Sequence, residues 1–593
     1  GTNTITGAVT VSSNARINAD AGTLTFNTAS TGIALGTNII NFGVATGTTM
    51  TVSNIISGAA STSSSTLTKD GSGLLILGGV NTYTGNTIIS TGALQATNGA
   101  ALGSTLGATS VESGAALEIN GAITIPEAIT INGTGLATTP GAIRMISGSS
   151  AATLSGVITV ATASRINSDA ATNALTIATG GIVNTAGLNF GISNTGNIIV
   201  SSIVSGVAGI TKDGSGAGKL ILSGANTYQG ATLVSAGILQ ATVNDALGSQ
   251  TPGTVGYSNT TVSNGAALEI NGTISSLPEN IFINGTGISS GGAIRMISTS
   301  GASTIIGVIT TQTASRINND AATNSLTINT GGVVNTGGIT FGIGNTGAIN
   351  VTGVISDVGS VTKDLTGTGR LVLSAANTYE GLTTVTNGVL QVTNNDALGS
   401  AIAGTASSNT IVSNTAAIEF NGATALTMTE PFTINGLGFT ETTANGALRQ
   451  IVGASATTLT GGITVASESR INNETVGNTL TINTGGITNT GLLRVGVNNT
   501  GDVNITSVIN GAGGVTKEGT GAGSLILNAD NGTTYTGVTT VSAGLVKVAH
   551  NNALGATSGN TNITSGATIQ VSGNGLTIPE PITINGAGIA TNQ

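Results

Sequence analysis

The chain has 593 residues, a formal net charge of −9, 39% hydrophobic, 7% charged and 2% aromatic residues, 92 Gly, and neither Cys nor Trp. So much aliphatic content with so little charge excludes a disordered chain, Gly without a three-residue period excludes collagen, and no apolar run reaches the roughly 18 residues of a membrane span. An acidic chain without a basic, aromatic-dotted face is also a poor fit to nucleic acid, and the lack of Cys fits a cytosolic protein and, equally, a surface protein that crosses a membrane unfolded.

From the N-terminus, the first charged phrase is ARINAD at Arg16 and Asp20. It is followed by TKDGSGLLILGGVNTYTGNTIISTGALQATNGAALGS, which carries Lys69, Asp70 and Tyr83. Next come ALEING (Glu118), the PE turn (Glu127) and GAIRMIS (Arg144), and then the text starts again. The second copy holds Arg165, Asp169, Lys212, Asp213 and Tyr228. The third holds Arg316, Asp320, Lys363, Asp364 and Tyr379, and the fourth Arg470, Glu474, Lys517, Glu518 and Tyr535. A period near 150 residues repeated four times predicts super-repeats at 1–140, 141–291, 292–445 and 446–593, read as one continuous array. The chain stops inside PITINGAGIATNQ, which earlier copies continue with GAIRMIS, so an interior piece of a longer protein is expected.

Within each copy the signal is short apolar alternation, as in ALTIATGG, KLILSG, ALEING and NIFINGTG. Each run ends at a Gly or Asn turn, and helical spacing is absent, which means all-β. A propeller would need blade-sized periods of about 40–50 residues, and a sandwich core usually closes on large aromatics. A stack of small and medium aliphatics suits a β-helix instead. The Arg-to-Lys interval is 47 residues in three copies and 53 in the first, where STSSS (residues 61–65) is inserted in a turn. Strand text therefore persists while turn text varies. The prediction is a parallel β-helix of roughly 25–30 coils, at about 20–25 residues per coil.

The repeat also sorts the residues that could do chemistry. The four lysines, the four RIN arginines and Arg144, Arg295 and Arg449 make 11 of the 15 basic residues, leaving Lys219, Arg370, Arg494 and Lys547. The acids recur likewise: Glu118, Glu269 and Glu419 share one phrase, and Glu127, Glu279, Glu430 and Glu580 share the PE/EP turn. A catalytic carboxylate pair is normally one constellation per chain, so no catalytic residue and no metal site is assigned. Each RIN arginine stands four residues before an acid. Positions i and i+4 of a strand share a face, so Arg16–Asp20, Arg165–Asp169, Arg316–Asp320 and Arg470–Glu474 are expected as ion pairs. The single His550 replaces the Asn394 of the third copy and has no metal-ligand company. No cofactor is expected; weak calcium binding at the DGSG turns (Asp70, Asp213) stays open, as does a shallow sugar-binding ridge of the four tyrosines.

The phrase TK[DE]G-G-G-L-L-L-GANTY-G-T-V-G-L-V, present four times over about 30–40 residues each, resembles the autotransporter-associated β-strand repeat, or passenger-associated transport repeat. Lys363 is followed by DLTG, and the fourth copy inserts residues before Tyr535, so the turns depart from the pattern. The resemblance implies a right-handed parallel β-helix displayed on the surface of a Gram-negative cell, with the outer-membrane anchor outside this segment. It further implies a stalk or fibre serving adhesion, spacing or matrix building. Its partners would be a host or neighbouring cell surface, extracellular matrix or other copies of itself. A self-assembling filament, sheath or surface-layer subunit is the alternative, and a glycan-active β-helix the second.

Overall fold

The computed structural model describes residues 1–27, 32–59, 65–191, 196–249, 259–400, 409–440, 445–497 and 499–589. Of the STSSS insertion, residues 61–64 lie outside these. The described residues form short strands and a single 3-10 turn at Ile288–Ser290, with no α-helix. Within each of two compact units, the strands stack in parallel as the coils of a β-solenoid.

Most strands are three to five residues long and alternate buried, half-buried, buried, as in Leu175–Ile177, Ile158–Val160 and Leu480–Ile482. The alternation follows from the pleat, which sends successive side chains to opposite faces. One face of each strand therefore supplies the interior and the other a file of Thr, Asn and Ser. Parallel sheets usually hide both faces under helices; here the sheet wraps on itself, so only the inner face must be apolar.

The residues group into two compact units, Gly1–Ile283 with Gly287–Ile294 and Asn284–Thr286 with Arg295–Gln593. In the first, nine strands from Ala15–Ala19 to Val204–Ser205 form one sheet. Its register places Ile129, Ile158, Ile182 and Val204 above one another, all buried. In the second, seven strands from Leu426–Met428 to Ala567–Val571 form a sheet of the same kind, with Leu480, Val503 and Leu525 in file. Like thus stacks on like, and a close-packed interior is reached with residues no larger than Leu at most positions.

Candidate functional site

The charged residues of each copy are assembled over three successive coils. In the first unit Arg165-Ile166-Asn167 pairs with Asn189-Phe190-Gly191, which pairs with Thr211-Lys212-Asp213. The same register joins Arg16-Ile17-Asn18, Asn41-Phe42-Gly43 and Thr68-Lys69-Asp70. It recurs with Arg316-Ile317-Asn318, Thr340-Phe341-Gly342 and Thr362-Lys363-Asp364. Ile, Phe and Lys point inward, so Lys lies one coil beyond Phe; Arg and the acid point outward.

The arginines pair across this lattice and not along their own strand. Arg165 Nη1 donates to Asp213 Oδ1 at 2.7 Å, Arg316 Nη1 to Asp364 Oδ2 at 2.7 Å, and Arg470 Nε to Glu518 Oε1 at 2.6 Å. Arg16 makes the same pair, Nη2 to Asp70 Oδ1 at 2.6 Å. The expected i to i+4 pairs are therefore corrected. Asp169 instead accepts from Arg144 Nε at 2.5 Å and Asp320 from Arg295 Nε at 2.6 Å, each from the preceding coil, and Glu474 accepts from Asn472 at 3.1 Å. Asp20 acts on Arg16 through space, favouring its charged form after Asp70 does so. The guanidinium reaches two coils because the coil between presents glycine: a Cβ on Gly191 would lie 2.1 Å from Arg165 Nη1. The Arg16 pair is the most exposed of the four, and solvent screening leaves it a small contribution; all four pairs tie together three successive coils.

The lysines are not surface residues. Lys69, Lys212, Lys363 and Lys517 are completely buried. Lys212 Nζ donates to the carbonyls of Asp213, Gly214 and Ala236 at 2.5, 2.8 and 3.1 Å; Lys69 and Lys363 do the same with their own turns. In the fourth copy Asn499 Oδ1, at 3.1 Å, replaces the carbonyl of the following coil. Burial pushes each ammonium down to about 8, opposed by the adjacent acid, so all four stay charged at neutral pH. Gly92, Gly237, Gly388 and Gly544 close the cage, at φ of 71–73°. A Cβ at Gly237 would lie 2.6 Å from Lys212 Nζ, and positive φ alone disfavours other residues there.

The NTY phrase forms a second clamp. Asn226 Oδ1 accepts the Val204 N–H of the preceding coil at 2.8 Å, while its Nδ2 donates to Ala246 O of the following corner at 2.6 Å. Asn81, Asn377 and Asn531 repeat this. The fourth-copy insertion falls between Asn531 and Tyr535, and both keep their partners. Tyr83, Tyr228, Tyr379 and Tyr535 are fully buried, each sharing a hydrogen bond with the threonine four residues on. The glycine of the ALG corner lies against the ring: a Cβ on Gly103 would be 2.7 Å from Tyr83. The tyrosines thus present no face to solvent, which rules out the sugar-binding ridge as read from the sequence. The asparagines carry no charge and were missed; their fixed place two residues before Tyr in three copies was the available signal. Asn226→Ala leaves a buried N–H and a buried carbonyl without partners, so a loss of about 2–3 kcal/mol is expected, read as faster amide exchange over residues 204–246.

The non-recurring basic residues complete a third arrangement. Glu419, wholly buried, accepts from Arg370 Nε at 2.6 Å and Nη2 at 2.9 Å, from Gln391 at 3.0 Å and from Arg449 Nε at 3.0 Å. Lys219 meets Glu269 at 2.5 Å, Arg494 bridges Glu468 and Glu518 at 2.5 and 2.9 Å, and Lys547 lies 4.0 Å from Asp502. Burial alone would raise the Glu419 carboxyl, but Arg370 and Arg449 outweigh it and hold the group below its ordinary 4.5.

The repeated acids that follow the lysines are thus committed to arginines, including Asp70 and Asp213 of the DGSG turns. Among the described residues no three His, Cys, Asp or Glu side chains converge as metal ligands would. Two surface grooves of about 410 and 500 Å³ are lined by Thr, Ser, Gly, Asn, Ala, Val and Ile, without a titratable side chain. What these arrangements do chemically is join consecutive coils.

Comparison with known families places a passenger-associated-transport-repeat at residues 67–96, 211–241, 365–392 and 520–548. No curated protein and no solved structure matches the chain.

Proposed function

Because the chain carries four passenger-associated-transport-repeats on a β-solenoid, an organisation that fits an autotransporter passenger and implies secretion to the cell surface, we propose that it is a non-enzymatic stalk or fibre segment of a bacterial surface protein. It serves adhesion, spacing or matrix building towards a neighbouring cell, a host surface, extracellular matrix or other copies of itself. One observation carries this reading: the copied charged constellations close on neighbouring coils, as Arg165 does on Asp213 and Lys212 on three carbonyls. A glycan-active enzyme would instead hold acids free in a cleft.

Negative-stain microscopy of the purified chain, together with a glycan-degradation screen, tests the proposal. Separate particles and no turnover are expected. Ordered polymers would shift the reading to a self-assembling filament or surface-layer subunit, and real turnover would overturn it.

A further inference from the structure

Four buried acids take no part in the arrangements above. Glu127, Glu279, Glu430 and Glu580 are 3%, 0%, 2% and 5% exposed. Glu127, Glu279 and Glu430 each lie two residues before an inward-facing residue (Ile129, Ile281, Phe432), so their side chains point inward too; Glu580 precedes the exposed Ile582 but is itself buried. Their turns are fixed by glycines of the next coil: a Cβ on Gly156 or Gly461 would lie 1.9 or 2.0 Å from the carbonyl oxygen of Glu127 or Glu430.

None of the four meets a cation. Both carboxyl oxygens of Glu279, Glu430 and Glu580, and Oε1 of Glu127, lack a hydrogen-bond partner. The register brings one threonine per copy to the coil below: Thr109, Thr260, Thr410 and Thr561, each paired with the residue two beyond the glutamate. Their buried hydroxyls are unpartnered as well. Thr109 lies beside Glu127 and Thr561 beside Glu580. The other titratable groups facing the site are Tyr83, Tyr228, Tyr379 and Tyr535, with Asp245 acting on Glu279 and Asp396 on Glu430. All are neutral or negative, so no cation holds a carboxylate there. Burial outweighs what the Thr109 and Thr561 hydroxyls and the backbone N–H groups of Glu279, Thr429 and Glu430 do in its favour, and a buried charge without a counter-charge is neutralised by taking up its proton.

We propose that these four glutamates are proton-loaded in the folded solenoid, each a neutral acid set against a threonine hydroxyl of the adjacent coil, and that their ionisation loosens the coils they join. Burial pushes Glu127 and Glu279 up to about 8, and Glu430 and Glu580 up to about 7, from 4.5. The folded state then holds protons that the unfolded chain gives up. The stability they contribute is fully present below about pH 4.5 and is lost progressively as pH rises through 7–8. The buried lysines do not interfere at pH 6, where they are charged both folded and unfolded.

The test is a proton count. The full chain is unfolded in urea at pH 6 in weakly buffered solution, and the protons released are titrated. Release of three to four protons per chain is expected, falling by about one in each single variant, E127Q, E279Q, E430Q and E580Q, and to near zero in the quadruple variant. Each single variant stays interpretable if the quadruple one fails to fold. Release of two or fewer protons from the unaltered chain, or an undiminished release from the variants, would overturn the proposal. So would a low release that depends on whether sodium, potassium or choline is the cation, since a metal ion would then be the counter-charge.

Discussion

Lys212→Ala is expected to destabilise its coils by about 4–5 kcal/mol. It deletes three carbons and the ammonium nitrogen from a filled interior, for which truncations cost about 2–5 kcal/mol. It also strips the carbonyls of Asp213, Gly214 and Ala236 of a charged donor, and a buried acceptor left unsatisfied costs about 1–3 kcal/mol. The ammonium's own desolvation, relieved by the change, offsets part of that sum. Lys212→Met restores the volume but not the donor, so about 2–3 kcal/mol is expected there. Solenoid coils contact chiefly their neighbours, so the effect should be local. Hydrogen exchange, which resolves regional opening, should show faster exchange over residues 188–241 and unchanged rates around Lys517. Uniform change along the chain, or none, would contradict a cage built coil by coil.

Glu419→Ala is the second large effect, about 3–5 kcal/mol. Glu419 and Arg449 have side chains only 0% and 3% exposed, and Arg370 shares the same carboxylate. Breaking a buried ion pair from one side leaves charge without its partner, which is the costly case. The sign with pH follows from the lowered carboxyl. Its contribution is present above about pH 4.5 and disappears as pH falls through the lower folded value. This is opposite in sign to the four proton-loaded glutamates. Thermal unfolding of Glu419→Ala against the unaltered chain at pH 7 and again at pH 3 should therefore show a difference that shrinks in acid. A difference that persists in acid would mean the loss is packing rather than charge.

Much of this was legible in the sequence, and the misses have particular causes. Short Ile-Thr-Val alternations between Gly and Asn turns specify a one-sided strand, and the scarcity of aromatics points to a stacked aliphatic interior. Both are local signals. The Arg–acid pairing was misassigned because i to i+4 is the nearest candidate spacing, whereas in a solenoid the neighbours of a residue are one and two coils away. The signal was nonetheless in the text: in three copies a 47-residue Arg-to-Lys interval spans two coils and the acid follows at 48, and in the first copy the turn insertion lengthens both by six. The burial of Lys212 was equally available from the alternation of Ile210, Thr211, Lys212 and Asp213, which sends Ile and Lys to the same side. Charge obscured it, since lysine is rarely buried without partners, and its partners are backbone carbonyls, which leave no trace in composition. The same holds for Asn226; Glu279 is exceptional in that no side chain partners its buried carboxyl oxygens.

The repetition thus has a physical content. The first three copies carry the same Arg-over-Gly bridge and Lys cage, the fourth keeps the Arg–acid pair and a caged Lys517 with Asn499 as one acceptor, and all four carry the Asn–Tyr clamp; together they hold consecutive coils in register. The repeat family implies secretion to the cell surface, and the proposed stalk role rests on that implication. The most direct measurement is protease accessibility on intact cells that make the parent protein. Segments of residues 1–593 should be released or cleaved by protease added outside, while a cytoplasmic marker stays whole. A chain that becomes cleavable only after the cells are broken would contradict the account.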